Sequence, residues 1–278
     1  DMLQIIFFAC FFGVGVAHIG ESGKKIVDLC HSVAEAMFKV TGYVMHVAPI
    51  GVFAMIAYTV GSYGIAMLIP LGKLIISVAA ATLLFVCIIA LIASMLTRIN
   101  FFHVLKAIKD ILLLAFSTAS SEAALPLAME RLSQLGIKKN IVTFVMPTGY
   151  SFNLDGSTLY SSAGILFIAQ LYGIDMSIEQ QILVMLTLML STKGIAGVPG
   201  AGIIVVAATA AAFNLPTEGV AILLGIDRLL DMIRTVCNVC GNCMATVVVA
   251  RWEGELSKDR FNAAYKDLIS GKQLKNDF

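Results

Sequence analysis

Two stretches of this chain, residues 141–172 and 218–252, are long enough to cross a bilayer yet carry amide and charged side chains at their centres. An ionised group at the centre of a spanning helix costs roughly 2.5–3.5 kcal/mol on insertion scales. Such residues persist where they face protein or a water-filled cavity rather than lipid. A soluble core is therefore excluded, and a polytopic all-α membrane protein with a polar interior is expected. Composition agrees: 59% of the 278 residues are hydrophobic, 13% are charged, and the mean hydropathy is +0.90. A soluble domain of this length needs more charge to cover its surface. The net charge of +1 gives no field for nucleic acid. The six cysteines, Cys10, Cys30, Cys87, Cys237, Cys240 and Cys243, lie in apolar or helical contexts and are expected to be small buried residues. The chain opens at Asp1 directly into an apolar run, without an initiator Met, so a preceding N-terminal portion is expected.

The remaining segments fall into place around those two stretches. Residues 3–19 read as the end of a span, and a polar stretch, 21–28, follows. A long run over 26–60 is interrupted by Lys39 and is expected to bend at Ala48-Pro49-Ile50-Gly51. Residues 68–96 form the cleanest transmembrane helix. Residues 111–116 are apolar but too short to span, and Ser117-Thr118-Ala119-Ser120-Ser121-Glu122 leads into a second short helix. Two short arms around a polar tip predict a re-entrant hairpin over 100–135. In 141–172, the segment Gly149-Tyr150-Ser151-Phe152-Asn153-Leu154-Asp155-Gly156-Ser157 predicts a helix that unwinds at its centre. A second hairpin, 178–213, has a glycine-rich tip from Ser191 through Gly202. The last helix covers 217–252, and a charged, helical tail follows at 253–278.

Lys and Arg cluster at 24–25, 98–109, 131–139 and in the tail, whereas the connections near 173–181 and 214–219 have none. The positive-inside rule then opens the first hairpin to the cytoplasm and the second outward, with the C-terminus inside. Hairpin plus polar-centred helix occurs twice in opposite orientation. Broken segments at matching positions of inverted repeats point to a binding site between them near the midplane.

Asp231, Arg234, Thr235, Asn238 and Asn242 share one face of the last helix. The planar fork of Arg234 suits a carboxylate, and Asp231 suits an ammonium group. Together they match the opposite charges of an amino acid. The plain alternative is a structural Asp231–Arg234 ion pair, against which Thr235 and Asn238 weigh. Asn153, Asp155 and freed carbonyls are hard oxygen donors suited to a cation, or else the caps of a kinked helix. Ser117, Ser120 and Ser121 offer hydroxyls and helix-start amides to an anion, and the glycine tip suits a gate. Cys237, Cys240 and Cys243 have a metal-like spacing but no histidine beside them, so packing is the better reading. His46 and His103 read as packing or interfacial residues. Ser120 and Ser121 lack a motif-placed base, so no enzymatic chemistry is expected.

At these segments the sequence resembles the glutamate/aspartate and dicarboxylate symporter family, which includes the mammalian excitatory amino acid transporters. The motifs are Pro147-Thr148-Gly149-Tyr150-Ser151-Phe152-Asn153-Leu154-Asp155-Gly156-Ser157, Gly194-Ile195-Ala196-Gly197-Val198-Pro199-Gly200 and Ala48-Pro49-Ile50-Gly51-Val52-Phe53. They resemble bacterial proton/glutamate symporters most. The resemblance implies a homotrimer in the plasma (inner) membrane, working by an elevator motion, with no organic cofactor and with H+ or Na+ as coupling ion. Scaffold-type helices would occupy 1–60, the transport domain 61–252 and a cytoplasmic tail 253–278. Arg234 would bind the substrate's side-chain carboxylate and Asp231 its amino group. Ser120, Ser121, Ser157, Thr235 and Asn238 would complete the pocket, closed by Ala196, Gly197, Val198 and Gly202.

Gly149, Asn153, Asn238 and Asn242 would form one cation site, and Ser151, Thr192, Lys193 and Ile195 a second. Sodium-driven members carry aspartate at the Asn242 position, and Lys193 puts a cation beside the second site. Both departures shift the expected coupling from sodium to protons. Ser161 replaces a glutamate of mammalian members, which leaves Glu122, Asp155 and Asp231 as proton carriers, Glu122 foremost. The hairpin-one arginine of archaeal members is Ala119 here, and the last-helix arginine of mammalian members is Met232. The tip Ser120-Ser121-Glu122-Ala123-Ala124-Leu125-Pro126 also resembles C4-dicarboxylate members, so a dicarboxylate symporter is the alternative to an acidic amino acid carrier. An anion channel is a further possibility, separable by concentrative uptake.

Overall fold

The structure is a computed structural model that describes residues 2–193, 195 and 199–270. Its described residues form helices and no strands: α1 (Met2–His18), α2 (Glu21–Tyr63), α3 (Leu68–Thr97), α4 (Phe101–Ala107), α5 (Lys109–Thr118), α6 (Ser121–Gln134), α7 (Lys139–Phe152), α8 (Asp155–Leu171), α9 (Ile178–Ser191), α10 (Ala201–Ala212), α11 (Glu218–Trp252) and α12 (Lys258–Ile269).

The N-terminal expectations need one correction. The long run does not begin at 26 and is not interrupted at Lys39, because α2 starts at Glu21, takes in the polar stretch 21–28, and runs unbroken for 43 residues through Lys39 and Pro49. Gly20, at φ 58°, makes the break from α1, and Glu21 then sits at the positive end of the new helix. Pro49 withholds one backbone donor, but helix on both sides carries the segment through.

Helix α11 is the axis of the fold, packing on α2, α3, α5, α6, α7, α8 and α10. Two apolar clusters share it. One joins α4–α7 and α12 to the C-terminal half of α11, with Ile111, Leu132, Met146, Val239 and Phe261 all fully buried. The other joins α3 and α8–α10 to the N-terminal half, through Leu71, Ile165, Leu188, Val206 and Leu223. The second cluster ends on α11 at Leu230 and the first begins at Val239. The polar residues between them occupy the seam where neither apolar core closes.

Gly156 fixes how tightly that seam is drawn. A Cβ there would collide with the Arg234 carbonyl and lie 2.7 Å from Cys237 Cβ, so only glycine lets the start of α8 reach α11. The cysteine expectation holds for Cys237, Cys240 and Cys243, all buried, but Cys30 and Cys87 are exposed. These two sit on the outward faces of α2 and α3, where apolar side chains also point out, among them Phe53, Ile76 and Leu84. The chain's surface is apolar over its long helices, so an apolar context does not imply burial. Ile65–Thr97 is the stretch among the described residues that is long and apolar enough to cross a membrane. In the tail, α12 is helical and docks one side: Phe261 and Leu256 are fully buried, and Tyr265 stacks on His103 at 4.3 Å.

Candidate functional site

The stripe on α11 points inward. Asp231, Arg234, Thr235, Asn238 and Asn242 are each no more than 4% exposed. Arg234 Nε donates to Asp231 Oδ1, closing an ion pair one turn apart. Arg234 Nη1 donates to Ser157 Oγ at 3.1 Å, and the guanidinium carbon stands 5.9 Å from the centre of the Tyr160 ring. The second carboxylate oxygen of Asp231 accepts the Gly200 N–H at 2.7 Å. Asp231 thus holds the arginine with one oxygen and the α9–α10 connection with the other. Gly202 is bare for a reason: a Cβ would lie 3.0 Å from both Arg234 Nη1 and Tyr160 Cε1. The start of α10 therefore lies directly against the guanidinium.

Ser157 and Asn238 tie the start of α8 to the same place. Ser157 Oγ also accepts from Asn238 Nδ2 at 3.1 Å, while Asn238 Oδ1 accepts the Gly156 N–H at 2.8 Å. Asn238, predicted to serve both substrate and cation, is committed in this structure to orienting α8. Thr235 Oγ1 donates to the Asp231 carbonyl at 2.7 Å.

The break in the 141–172 stretch falls at Asn153 and Leu154, inside the predicted segment. Asn153 N–H closes the last turn of α7 on the Gly149 carbonyl at 2.7 Å. Its side chain donates to Asn242 Oδ1 at 3.2 Å, and Asn242 Nδ2 donates to the Asn153 carbonyl at 3.3 Å. With its amide turned over, Asn153 donates instead to both Asp155 carboxylate oxygens, at 3.1 and 3.2 Å. Three of the predicted cation-site side chains, Asn153, Asp155 and Asn242, therefore meet at one point. Gly149 belongs there too, because a Cβ would collide with Asn242 Oδ1.

The second predicted cation site is less assembled. Thr192, fully buried, pairs its hydroxyl with Thr158 at 2.9 Å, and Lys193 is within electrostatic range of Asp155. Ser151 is exposed and bonds its own helix at the Pro147 carbonyl, 3.4 Å away.

At the α5–α6 connection, Ser120 is the N-cap of α6 and accepts the Ala123 N–H at 3.3 Å. Ser121 is buried and Glu122 half-buried, near Tyr150, whose buried hydroxyl has no hydrogen-bond partner among the described residues. Ala196, Gly197 and Val198 lie outside the described residues.

Sequence reasoning missed a layer behind Arg234. Tyr160 OH donates to Asp227 Oδ1 at 2.5 Å, with both residues buried. The signal was available, since Asp227 stands four residues before Asp231 on the same face. Tyr160 had no such signal, because nothing in its local sequence shows that its ring covers the arginine.

The chain is similar in sequence to known proteins along nearly all of its length. A proton/sodium-glutamate symport protein of Bacillus caldotenax is 52% identical over 260 residues, 94% of this chain and 62% of its own length. The proton/glutamate-aspartate symporter of Escherichia coli (strain K12) is 46% identical over 273 residues, 98% of this chain and 62% of its own. A C4-dicarboxylate transport protein of Bacillus subtilis (strain 168) is 44% identical over 259 residues, 93% and 62% respectively. The chain thus spans about 62% of the length of the curated relatives it matches. Residues 1–252 match the family model described as the sodium:dicarboxylate symporter family. With that match over most of its length, the chain belongs to the sodium:dicarboxylate symporter family.

Proposed function

We propose that this chain is the substrate-carrying part of a secondary symporter that imports L-glutamate or L-aspartate with protons. The observation that carries the reading is the buried Asp231–Arg234 pair, held between the Gly200 amide and the Ser157 hydroxyl. An acidic amino acid can exchange into it without leaving a charge unpaired. Its side-chain carboxylate takes the Arg234 fork while its ammonium takes Asp231, so two buried charges trade one partner for another. A dicarboxylate can satisfy Arg234 but puts a second carboxylate beside Asp231, which repels it. That favours an amino acid, although a relative named as a C4-dicarboxylate transport protein is 44% identical. Dicarboxylate transport is the second reading.

The remaining roles follow from position. Ser120, Ser121, Ser157, Thr235 and Asn238 complete the pocket, and Ala196, Gly197, Val198 and Gly202 close it. The α5–α6 and α9–α10 pairs act as re-entrant hairpins of inverted repeats, entering from the cytoplasmic and outer sides. Residues 61–252 move as a transport domain against scaffold helices in 1–60, in a homotrimer of the inner membrane with a cytoplasmic C-terminus. Asn153, Asp155 and Asn242, with the Gly149 carbonyl, form an oxygen-rich point for a proton or cation. An amide at Asn242 supplies no charge to sodium, and Lys193 adds a positive charge beside Asp155 that opposes a sodium ion there, which leaves a proton carried at another carboxyl as the coupling ion. Glu122 is the foremost proton carrier, half-buried at the first tip.

Uptake of labelled glutamate, aspartate and succinate into proteoliposomes, with sodium and pH gradients imposed separately, tests the proposal. Accumulation of either amino acid driven by a pH gradient without sodium is expected. Uptake that still requires a sodium gradient at fixed pH would sink the proton assignment. Downhill flux without accumulation would point to a channel instead.

A further inference from the structure

Arg228 is half satisfied by its surroundings, which suggests work at the first helix pair. It is half-buried on α11, seven residues and so about two turns before Thr235, on nearly the same side of the helix. Its Nη2 donates to the Thr118 carbonyl at 3.2 Å. Thr118 is the last residue of α5, so this carbonyl is one that a helix end leaves without an intrahelical donor. It also lies at the negative end of the helix dipole, where a cation is favoured. The other terminal nitrogen, Nη1, is fully buried and has no hydrogen-bond partner among the described residues. An unpaired buried donor on a guanidinium is costly inside a membrane protein. Packing alone gives no reason to keep an arginine here.

The connection it holds is stiff. Ala119 takes the left-handed conformation at φ 51°. Thr118 Oγ1 accepts the Ser120 N–H at 3.2 Å and donates to the Leu114 carbonyl at 2.8 Å. Ser120 in turn caps α6. Whatever fixes the Thr118 carbonyl therefore fixes Ser120 and Ser121 as a unit. We infer that Arg228 is a positioning residue: its bond to the Thr118 carbonyl ties the tip of the first helix pair to α11 and sets where Ser120 and Ser121 stand at the site. The inference rests on the proposed carrier function for its kinetic consequence but not for its structural one.

Arg228→Met and Arg228→Lys separate these. Backbone hydrogen exchange, measured on the protein without substrate, is expected to quicken about tenfold at residues 119–123 in Arg228→Met and to stay unchanged at residues 200–205. Arg228→Lys restores protection, since one donor suffices for one carbonyl. In proteoliposomes, Arg228→Met raises the apparent KM for the transported acid about tenfold, as for loss of one charge-assisted hydrogen bond. The maximal rate stays within about twofold, and Arg228→Lys recovers the KM. Unchanged exchange at residues 119–123 overturns the inference, as does a KM and maximal rate that fall together without rescue by lysine. If the wild type carries none of the acids, the carrier reading fails while the exchange result still judges Arg228.

Discussion

The two helix-pair connections that meet α11 are built from opposite chemistry. The α5–α6 connection is closed by its own side chains, since Thr118 receives the Ser120 amide and Ser120 caps α6, and Arg228 of α11 grips the Thr118 carbonyl from outside. Among the described residues the start of α10 has no side-chain cap; Gly200 stands there at φ 78° and hands its amide to Asp231. The first connection is fastened locally, whatever the site contains. The second is fastened to a carboxylate that the proposed substrate also needs. A change in the site's occupancy can therefore take away the acceptor that fastens the second connection, while the first keeps its own fastening.

Asp231→Ala should break this contrast most severely. It removes the Gly200 acceptor and leaves a buried guanidinium without its counter-ion, a loss of about 3–5 kcal/mol for a broken buried pair. Substrate affinity should fall more than about a hundredfold. Hydrogen exchange should quicken at residues 200–205 and not at 119–123. Equal loosening at both connections would erase the distinction between them.

A matched pair of milder changes sharpens it. Gly200→Ala forces a side chain into a left-handed conformation, at about 1–2 kcal/mol. Ser120→Ala removes an N-cap worth about 1 kcal/mol. Each should raise exchange only at its own connection. Gly200→Ala should in addition speed escape of bound substrate several-fold, as measured by dilution of preloaded protein.

The smallest effect lies at the base of the first pair, where Arg131 bonds Asp110 at 2.8 Å. Burial works against the Asp110 carboxylate, but the Arg131 bond and charge, with Lys109, hold its pKa below the ordinary value. A depressed carboxyl pKa contributes stability at neutral pH that is lost as pH falls through the folded value. At this exposed position the pair is worth less than about 1 kcal/mol. Asp110→Asn should lower thermal stability slightly at pH 7 and leave it unchanged near pH 2.

Much of this was legible in the sequence because polar residues in spanning segments admit few explanations. The break at Asn153, the tips at Ser120 and Gly200, and the inward face from Asp231 to Asn242 all follow from local composition and helical period. The start of α2 was not legible: Glu21 and Lys24 suit a loop or a helix end equally, and the structure makes them helix. Nor were the contacts between distant segments, Tyr160 with Asp227 and Arg228 with Thr118, which arise only once α8 and α5 pack on α11. Cys30 and Cys87 show the limit of burial rules drawn from soluble proteins, since apolar surroundings in this chain face outward as readily as inward.

The central claim is that Asp231 and Arg234 together read an acidic amino acid, and one comparison tests it most directly. Labelled glutamate and succinate uptake should be measured for the wild type and for Asp231→Asn, at equal protein in the same proteoliposomes. The account predicts that the wild type prefers glutamate, and that Asp231→Asn cuts glutamate uptake about a hundredfold while succinate uptake persists. A wild type that carries succinate and not glutamate or aspartate, or a variant in which both uptakes fall together, would contradict it.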